Sequence, residues 1–179
     1  MPEKPCGVIA ELEPGPTLLR NAGAPVFTFE RTLDVAWIRS VVTHPKLWPS
    51  ISDDFSGKPE DFEPSKEPST WSIAAREGDV LLGLFILTRQ TGVCVELHTC
   101  LLPIAWGRST AIGKALFVWV WQNSVCERIV TTVPEFNRLA LRASKRVGMT
   151  QFGCNERSFR KNGKLWGQIL LGVTRPQED

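Results

Sequence analysis

The chain has 179 residues, 42% hydrophobic and 22% charged, with a net charge of +2, the composition of an ordinary globular protein with room for one core. Five cysteines (Cys6, Cys94, Cys100, Cys126 and Cys154) are odd in number and form no CxxC pair, so neither a disulfide framework nor a zinc ribbon is expected and a reducing, cytoplasmic setting is. No run is apolar for long enough to be a signal peptide or a membrane span, which predicts a protein neither secreted nor embedded.

Residues 1–25 carry five prolines and little apolar periodicity, and read as a loosely packed arm ahead of one domain over 26–179. From Leu33 to His44, Trp37, Ile38, Val41 and Val42 recur at helical spacing until Pro45 stops the helix. Leu47 to Thr70, with four prolines and clustered charge, reads as a long mobile loop; its stretch from Ser50 holds six acidic residues against two lysines. Three strands follow, TWSIAAR, VLLGLFILTRQ and VCVELHTCLL, joined by the short turns EGD and TG that imply antiparallel pairing.

AIGKALFVWVWQNSV is apolar nearly all round, as in a helix buried against a sheet, with Trp106, Trp119 and Trp121 clustered about it. RIVTTV is a β-branched strand, NRLALRASKRVG an amphipathic helix, and TQFGCNERSF and LWGQILLGV two strands joined at KNGK. The strand, helix, strand order predicts that RIVTTV and TQFG lie side by side. The fold class is therefore α/β, with a mixed, mostly antiparallel sheet flanked by helices.

The stretch GRSTAIGKAL, residues 107–116, is close to a Walker loop without being one. Five residues separate Gly107 from Gly113, Ala115 replaces the hydroxyl residue that would meet magnesium, and no acidic partner strand is present, which argues against nucleotide hydrolysis. A helix N-terminus still presents N–H groups and partial positive charge to an anion, and Gly107, Ser109, Ala111 and Gly113 are small enough to let one approach. Arg108 and Lys114 add full charge. The same residues also fit a plain capped turn with Ser109 or Thr110 as N-cap.

In VCVELHTCLL, strand geometry sends Cys94, Glu96, His98 and Cys100 to one face. The outer pair would be roughly 20 Å apart, too far for one metal ion, so no metal is expected. Glu96 and His98, about 6 to 7 Å apart, remain as an acid–base pair. Asn137 and Gly148 would delimit the helix between them, each cap contributing about 1 kcal/mol. Arg138, Arg142 and Arg146, with Lys145 beside them, form a basic stripe; the helix carries no aromatic residue, which argues against nucleic acid.

Two motifs give the chain its resemblance to the GNAT family of acetyl-CoA-dependent N-acetyltransferases. Arg108 to Gly113 is similar to the family's loop signature, Gln/Arg-x-x-Gly-x-Gly/Ala, with Ala111 at the first Gly place. If that place needs a positive φ, the alanine costs roughly 1 kcal/mol or more. Asn137, Ala140 and Gly148 are similar to the family's second motif, an Asn followed three residues on by a small residue and eleven on by a Gly at the helix end, and the tail GCNERSFRKNGK looks most like the ribosomal-protein N-terminal acetyltransferase branch.

The resemblance implies acetyl transfer from acetyl-CoA to an amine, on a protein N-terminus, a lysine or a small molecule, by a monomer or homodimer. It places the pantetheine along Thr99, Cys100, Leu101 and Leu102, and the pyrophosphate on Arg108, Ser109, Thr110, Ala111, Ile112, Gly113 and Lys114. Asn137 would bond the pantetheine if its side chain turned away from its own helix. An ammonium with a pKa near 10 must lose its proton before it attacks; Glu96 is the expected base, and His98 the other candidate. Ser144 stands where many relatives protonate the leaving thiolate with Tyr; the chain has no tyrosine, leaving water or Cys126 for that step. The acidic loop implies a cationic acceptor. The alternative is a non-catalytic acyl-CoA-binding or interaction protein.

Overall fold

The computed structural model describes residues 26–177; the arm expected over 1–25 lies outside them. The chain order is β1 (Phe27–Thr32), α1 (Val35–Val42), α2 (Trp48–Ile51), β2 (Thr70–Glu77), β3 (Val80–Arg89), β4 (Cys94–Leu101), α3 (Ser109–Asn123), β5 (Arg128–Pro134), α4 (Arg138–Arg146), β6 (Thr150–Lys161) and β7 (Lys164–Thr174). A 3-10 turn, Pro103–Arg108, runs directly into α3. The predicted elements all occur. Asp34 caps α1 by accepting from the Trp37 N–H at 2.9 Å.

The strands form one sheet in the order β1-β2-β3-β4-β5-β7-β6, in which only β4–β5 is parallel and the other pairs are antiparallel. The expected adjacency of RIVTTV and TQFG is wrong: β7 lies between them. β7 pairs with all seven residues of β5, from Arg128↔Thr174 to Pro134↔Gln168. Asn162 and Gly163, both at positive φ (52° and 72°), make the tight hairpin turn that folds β7 back between β5 and β6. A local hairpin thus overrides the crossover rule.

Two apolar layers cover the sheet. On one face, Ile112, Leu116, Phe117 and Val120 of α3 pack against Phe29, Phe85, Val95, Leu97 and Ile129, with Ala140 and Leu141 of α4 beside them. On the other, Ile38, Val41 and Val42 of α1 pack on Leu84 and Cys100. α3 is apolar on all sides because it lies in the larger layer, where Trp119 is buried too.

The stretch expected to be a mobile loop is tied down at its start. The carboxylate of Asp54 accepts from the main-chain N–H groups of Asn162 (2.7 Å) and Gly163 (2.8 Å) at the β6–β7 turn, and Lys161 donates to the carbonyl of Ser52 at 2.8 Å. Three more of its six acids are spent locally: Asp53 accepts from Ser56 at 2.7 Å, Asp61 from the Lys58 N–H at 3.2 Å, and Glu63 pairs with Arg39. Asp54→Ala is expected to lower stability by about 1–2 kcal/mol, because it frees two N–H groups from a charged acceptor; a urea melt checks this, and faster proteolysis between Ser52 and Thr70 should accompany it.

Candidate active site

β4 and β5 pair only at their first residues, Cys94↔Arg128, Val95↔Ile129 and Glu96↔Val130, and then separate. The gap opens into a cleft of about 870 Å³ lined by β4, β5, the start of α3 and the inner face of α4. Two interactions mark its edges. Thr131, on β5, donates its hydroxyl to the carbonyl of Leu97 at 2.8 Å, and the indole of Trp106 donates to the carbonyl of Leu101 at 2.8 Å. Between these points Thr99 is exposed and has no β5 partner.

Antiparallel pairing makes alternate residues turn their main chains to opposite neighbours. The Leu102 N–H bonds to Leu82 of β3, so Leu102 and Cys100 face β3, while Thr99 and Leu101 face the gap. Of the four residues expected along a pantetheine, the geometry therefore leaves Thr99 and Leu101. The side chains of Cys100 and Leu101 are buried, as is that of Ile112 in the loop segment, so these residues can offer a ligand only main-chain groups.

α3 begins at Ser109, and no side chain caps it: the N-cap is Arg108, with no side-chain bond to the first turn. Ser109 or Thr110 as N-cap is thus excluded. Ala111 sits inside the helix with no positive φ, so the expected strain does not exist. Gly113 is required for a different reason from the one its small size suggested: a Cβ there would lie 2.8 Å from Cγ1 of Val147, and its absence lets α3 and α4 meet. Arg108 is not a free charge, because its guanidinium pairs with Glu77. Lys114 is exposed and makes no ion pair among the described residues. The basic stripe Arg138, Arg142, Lys145 and Arg146 lies exposed on α4.

Asn137 is the N-cap of α4. Its Oδ1 accepts from the Ala140 N–H at 3.1 Å and its Nδ2 donates to the carbonyl of Ser50 at 3.3 Å. The side chain therefore turns into its own helix and not away from it, and ties α4 to α2 across the cleft. Ser144 also lines the cleft. Cys126 does not: it is fully buried, its thiol donates to the carbonyl of Arg128 at 3.2 Å, and burial raises its pKa to about 11. It is removed as a proton donor to a leaving thiolate.

Glu96 and His98 both reach the cleft. Glu96 is 23% exposed and His98 50%, with Nε2 of His98 3.9 Å from Oε1 of Glu96. The other carboxylate oxygen accepts from Nε2 of Gln90 at 2.9 Å, so Glu96 is fixed from the end of β3. Register places Glu96, Val130, Thr132, Pro134, Leu170 and Gln168 on one face of the sheet, and Trp48, Phe62 and Ile86 pack over that same face beside Cys100. A carboxylate and an imidazole thus stand on an open cleft where an unpaired main-chain edge meets an uncapped helix. That set can hold an extended amide-bearing chain and an anion while a base faces the far end.

No protein-family model and no curated protein sequence matches the chain. Solved structures do. One is an acetyltransferase of the GNAT family from Streptococcus pneumoniae, 16% identical, covering 83% of this chain and 99% of that one with a TM-score of 0.62. Another is spermidine N-acetyltransferase from Vibrio cholerae in complex with CoA and spermine, 14% identical, covering 83% and 95% with a TM-score of 0.61. A third, from Salmonella typhimurium and solved with its cofactor acetyl-CoA, is 14% identical and covers 86% and 96% with a TM-score of 0.63. The fold is that of the GNAT acetyltransferases.

Within this GNAT fold, several cleft residues carry no signal in the sequence. Thr131, Phe159 and Gln168 reach the site only through register and a distant hairpin, and Gln90 reaches Glu96 across the β3–β4 turn. Gly83 did carry one, since an isolated glycine inside an apolar strand marks a bulge or a close approach. Leu82 is the extra residue of a bulge between β2 and β3, and Gly83, at φ +144°, lies against the main chain of Cys100 and Leu101. Among the described residues there is no group of three or more His, Cys, Asp or Glu able to hold a metal ion, and no helix long and apolar enough to cross a membrane.

The buried thiols give a pH prediction. Burial raises Cys100 from 9.0 to about 12 and Cys126 from 9.0 to about 11. Both folded values lie above the unfolded one, so this contribution to stability is complete below pH 9.0 and is lost as pH rises through about 11 to 12. The melting temperature should fall less steeply above pH 9.0 in a Cys100→Ala, Cys126→Ala variant than in the parent, whatever their offset at neutral pH.

Proposed function

We propose that the chain is an acetyl-CoA-dependent N-acetyltransferase acting on a primary amine. The observation that carries this reading is the separation of β4 from β5 beyond Glu96, which leaves the main chain of Thr99 unpaired beside the uncapped start of α3. Thr99 and Leu101 would hold the pantetheine as an added strand, with Leu101 offering its N–H because its carbonyl is taken by Trp106. The N–H groups of the first turn of α3 after Ser109, whose own N–H is taken by the Trp106 carbonyl, would hold the pyrophosphate with Lys114, and Arg108 would contribute only the donors that Glu77 leaves free. The tail GCNERSFRKNGK supports placing the chain beside the ribosomal-protein N-terminal acetyltransferases.

Acetyl-CoA supplies an activated carbonyl. Glu96 takes a proton from the bound ammonium, directly or through water shared with His98. The freed amine attacks the thioester carbon, a C–N bond forms, the C–S bond breaks, and the proton that the nitrogen sheds as it becomes an amide reaches the leaving thiolate through water. Gln90 holds the carboxylate in place and is a positioning residue. A panel of amines is tested for acetyl-CoA-dependent release of free thiol. Release that depends on an amine supports an enzyme; binding of acetyl-CoA with no release from any amine leaves a binding protein and overturns catalysis.

A further inference from the structure

We infer that the acceptor is a primary amine carried on an aromatic or bulky apolar body with no carboxylate beside the nitrogen. This rests on the acetyltransferase reading and narrows its substrate. Three observations carry it. First, among the described residues the cleft is lined by one carboxylate, Glu96, and one imidazole, His98, and by no lysine or arginine. An α-amino acid would place its carboxylate there beside Glu96 at the cost of an unpaired charge, because the cations that touch the lining, Lys161 at Ser52 and Arg39 at Phe62, are already engaged by Ser52 and by Phe62 and Glu63.

Second, the acids of the 50–70 stretch do not line the cleft. Asp53, Asp54, Asp61 and Glu63 are engaged with the loop's own turns, the β6–β7 hairpin and Arg39. A polyamine would find one carboxylate for its first ammonium and none for the second. The cationic acceptor anticipated from loop composition is therefore reduced to a single ammonium, facing Glu96.

Third, the walls on the Glu96 face are aromatic. Trp48 and Phe62 meet edge to face at 5.9 Å over it, and Phe159, held against Phe136 at 5.7 Å, lines the cleft from β6. Gln168 offers a neutral amide whose oxygen is fixed by the Ser158 hydroxyl at 2.8 Å. Rings at the side and a neutral amide at the back suit a flat apolar body better than a charged one.

The same chemistry occurs in a small arylalkylamine and in a polypeptide whose first residue is aromatic, so the test includes both. kcat/KM is measured by thiol release with 2-phenylethylamine, phenylalanine, spermidine and the amidated tripeptide Phe-Ala-Ala. The expected result is a preference of tenfold or more, roughly the effect of leaving one polar group unsatisfied, for 2-phenylethylamine or the tripeptide over both phenylalanine and spermidine; which of the two leads identifies the source. Phe62→Ala should lower kcat/KM for the preferred acceptor more than for ethylamine. Phenylalanine or spermidine used equally well or better overturns the inference and leaves the acetyltransferase reading intact. Thiol release from no amine overturns both.

Discussion

Glu96→Gln is expected to lower amine-dependent thiol release by about 10²-fold or more, the usual contribution of a positioned base, while acetyl-CoA binds within about twofold of the parent. The substitution keeps the shape and the hydrogen bond from Gln90 and removes only the capacity to take a proton. Because β4 offers the proposed cofactor groove the main chain of Thr99 and Leu101, while Glu96 and His98 project from one face of the sheet, binding and deprotonation are separable here. Gln90→Ala should give a smaller loss, about tenfold or less, carried by kcat with acetyl-CoA binding unchanged, since the carboxylate then loses its only side-chain donor among the described residues. Turnover unchanged in Glu96→Gln would remove Glu96 as the base and leave His98 to be tested by the same comparison.

The second large effect is structural. A Cβ at Gly83 would lie 2.4 Å from the carbonyl oxygen of Cys100 and 2.7 Å from Cα of Leu101, and the residue has φ +144°. Both obstacles are main chain, which cannot rotate away. Gly83→Ala should therefore cost roughly 3 kcal/mol, combining backbone strain with overpacking, and lower the melting temperature by about 6–12 °C for a chain of this size. Gly107, whose Cβ would meet nothing within 4 Å, should accept alanine with a change of about 0.5 kcal/mol or less. The folded fraction of Gly83→Ala should also bind acetyl-CoA less tightly, because the bulge at Leu82 and the close approach at Gly83 set the course of β4 just where Thr99 and Leu101 face the gap.

Much of this was legible in the sequence, and the parts that were not have physical reasons. Strands β2 to β4, the buried helix α3 and the capped helix α4 follow from periodicity and turn residues, which are local. The single face shared by Glu96, His98 and Cys100 follows from the strand period alone. The position of β7 does not: Asn162 and Gly163 announce a hairpin but not the strand it will pair with, and seven residues of pairing to β5 decided that. The acidity of the 50–70 stretch misled because composition cannot distinguish acids that face a cleft from acids that bind a turn, as Asp54 does at Asn162 and Gly163. Asn137 was identified, but its side chain serves the helix and Ser50. Ala111 stood where a loop signature has glycine, yet the helix starts early enough, at Ser109, to make alanine unstrained.

The central claim, that the gap between β4 and β5 is an acetyl-CoA groove, is tested most directly by thermal melts of the full chain with acetyl-CoA, desulfo-CoA and ATP in parallel. Acetyl-CoA at 100 times its dissociation constant should add about 2.7 kcal/mol of stability, desulfo-CoA should add a comparable amount because it keeps the pantetheine and pyrophosphate, and ATP, lacking the arm that would pair with Thr99, should add far less. No stabilisation by acetyl-CoA, or equal stabilisation by ATP, would contradict the account.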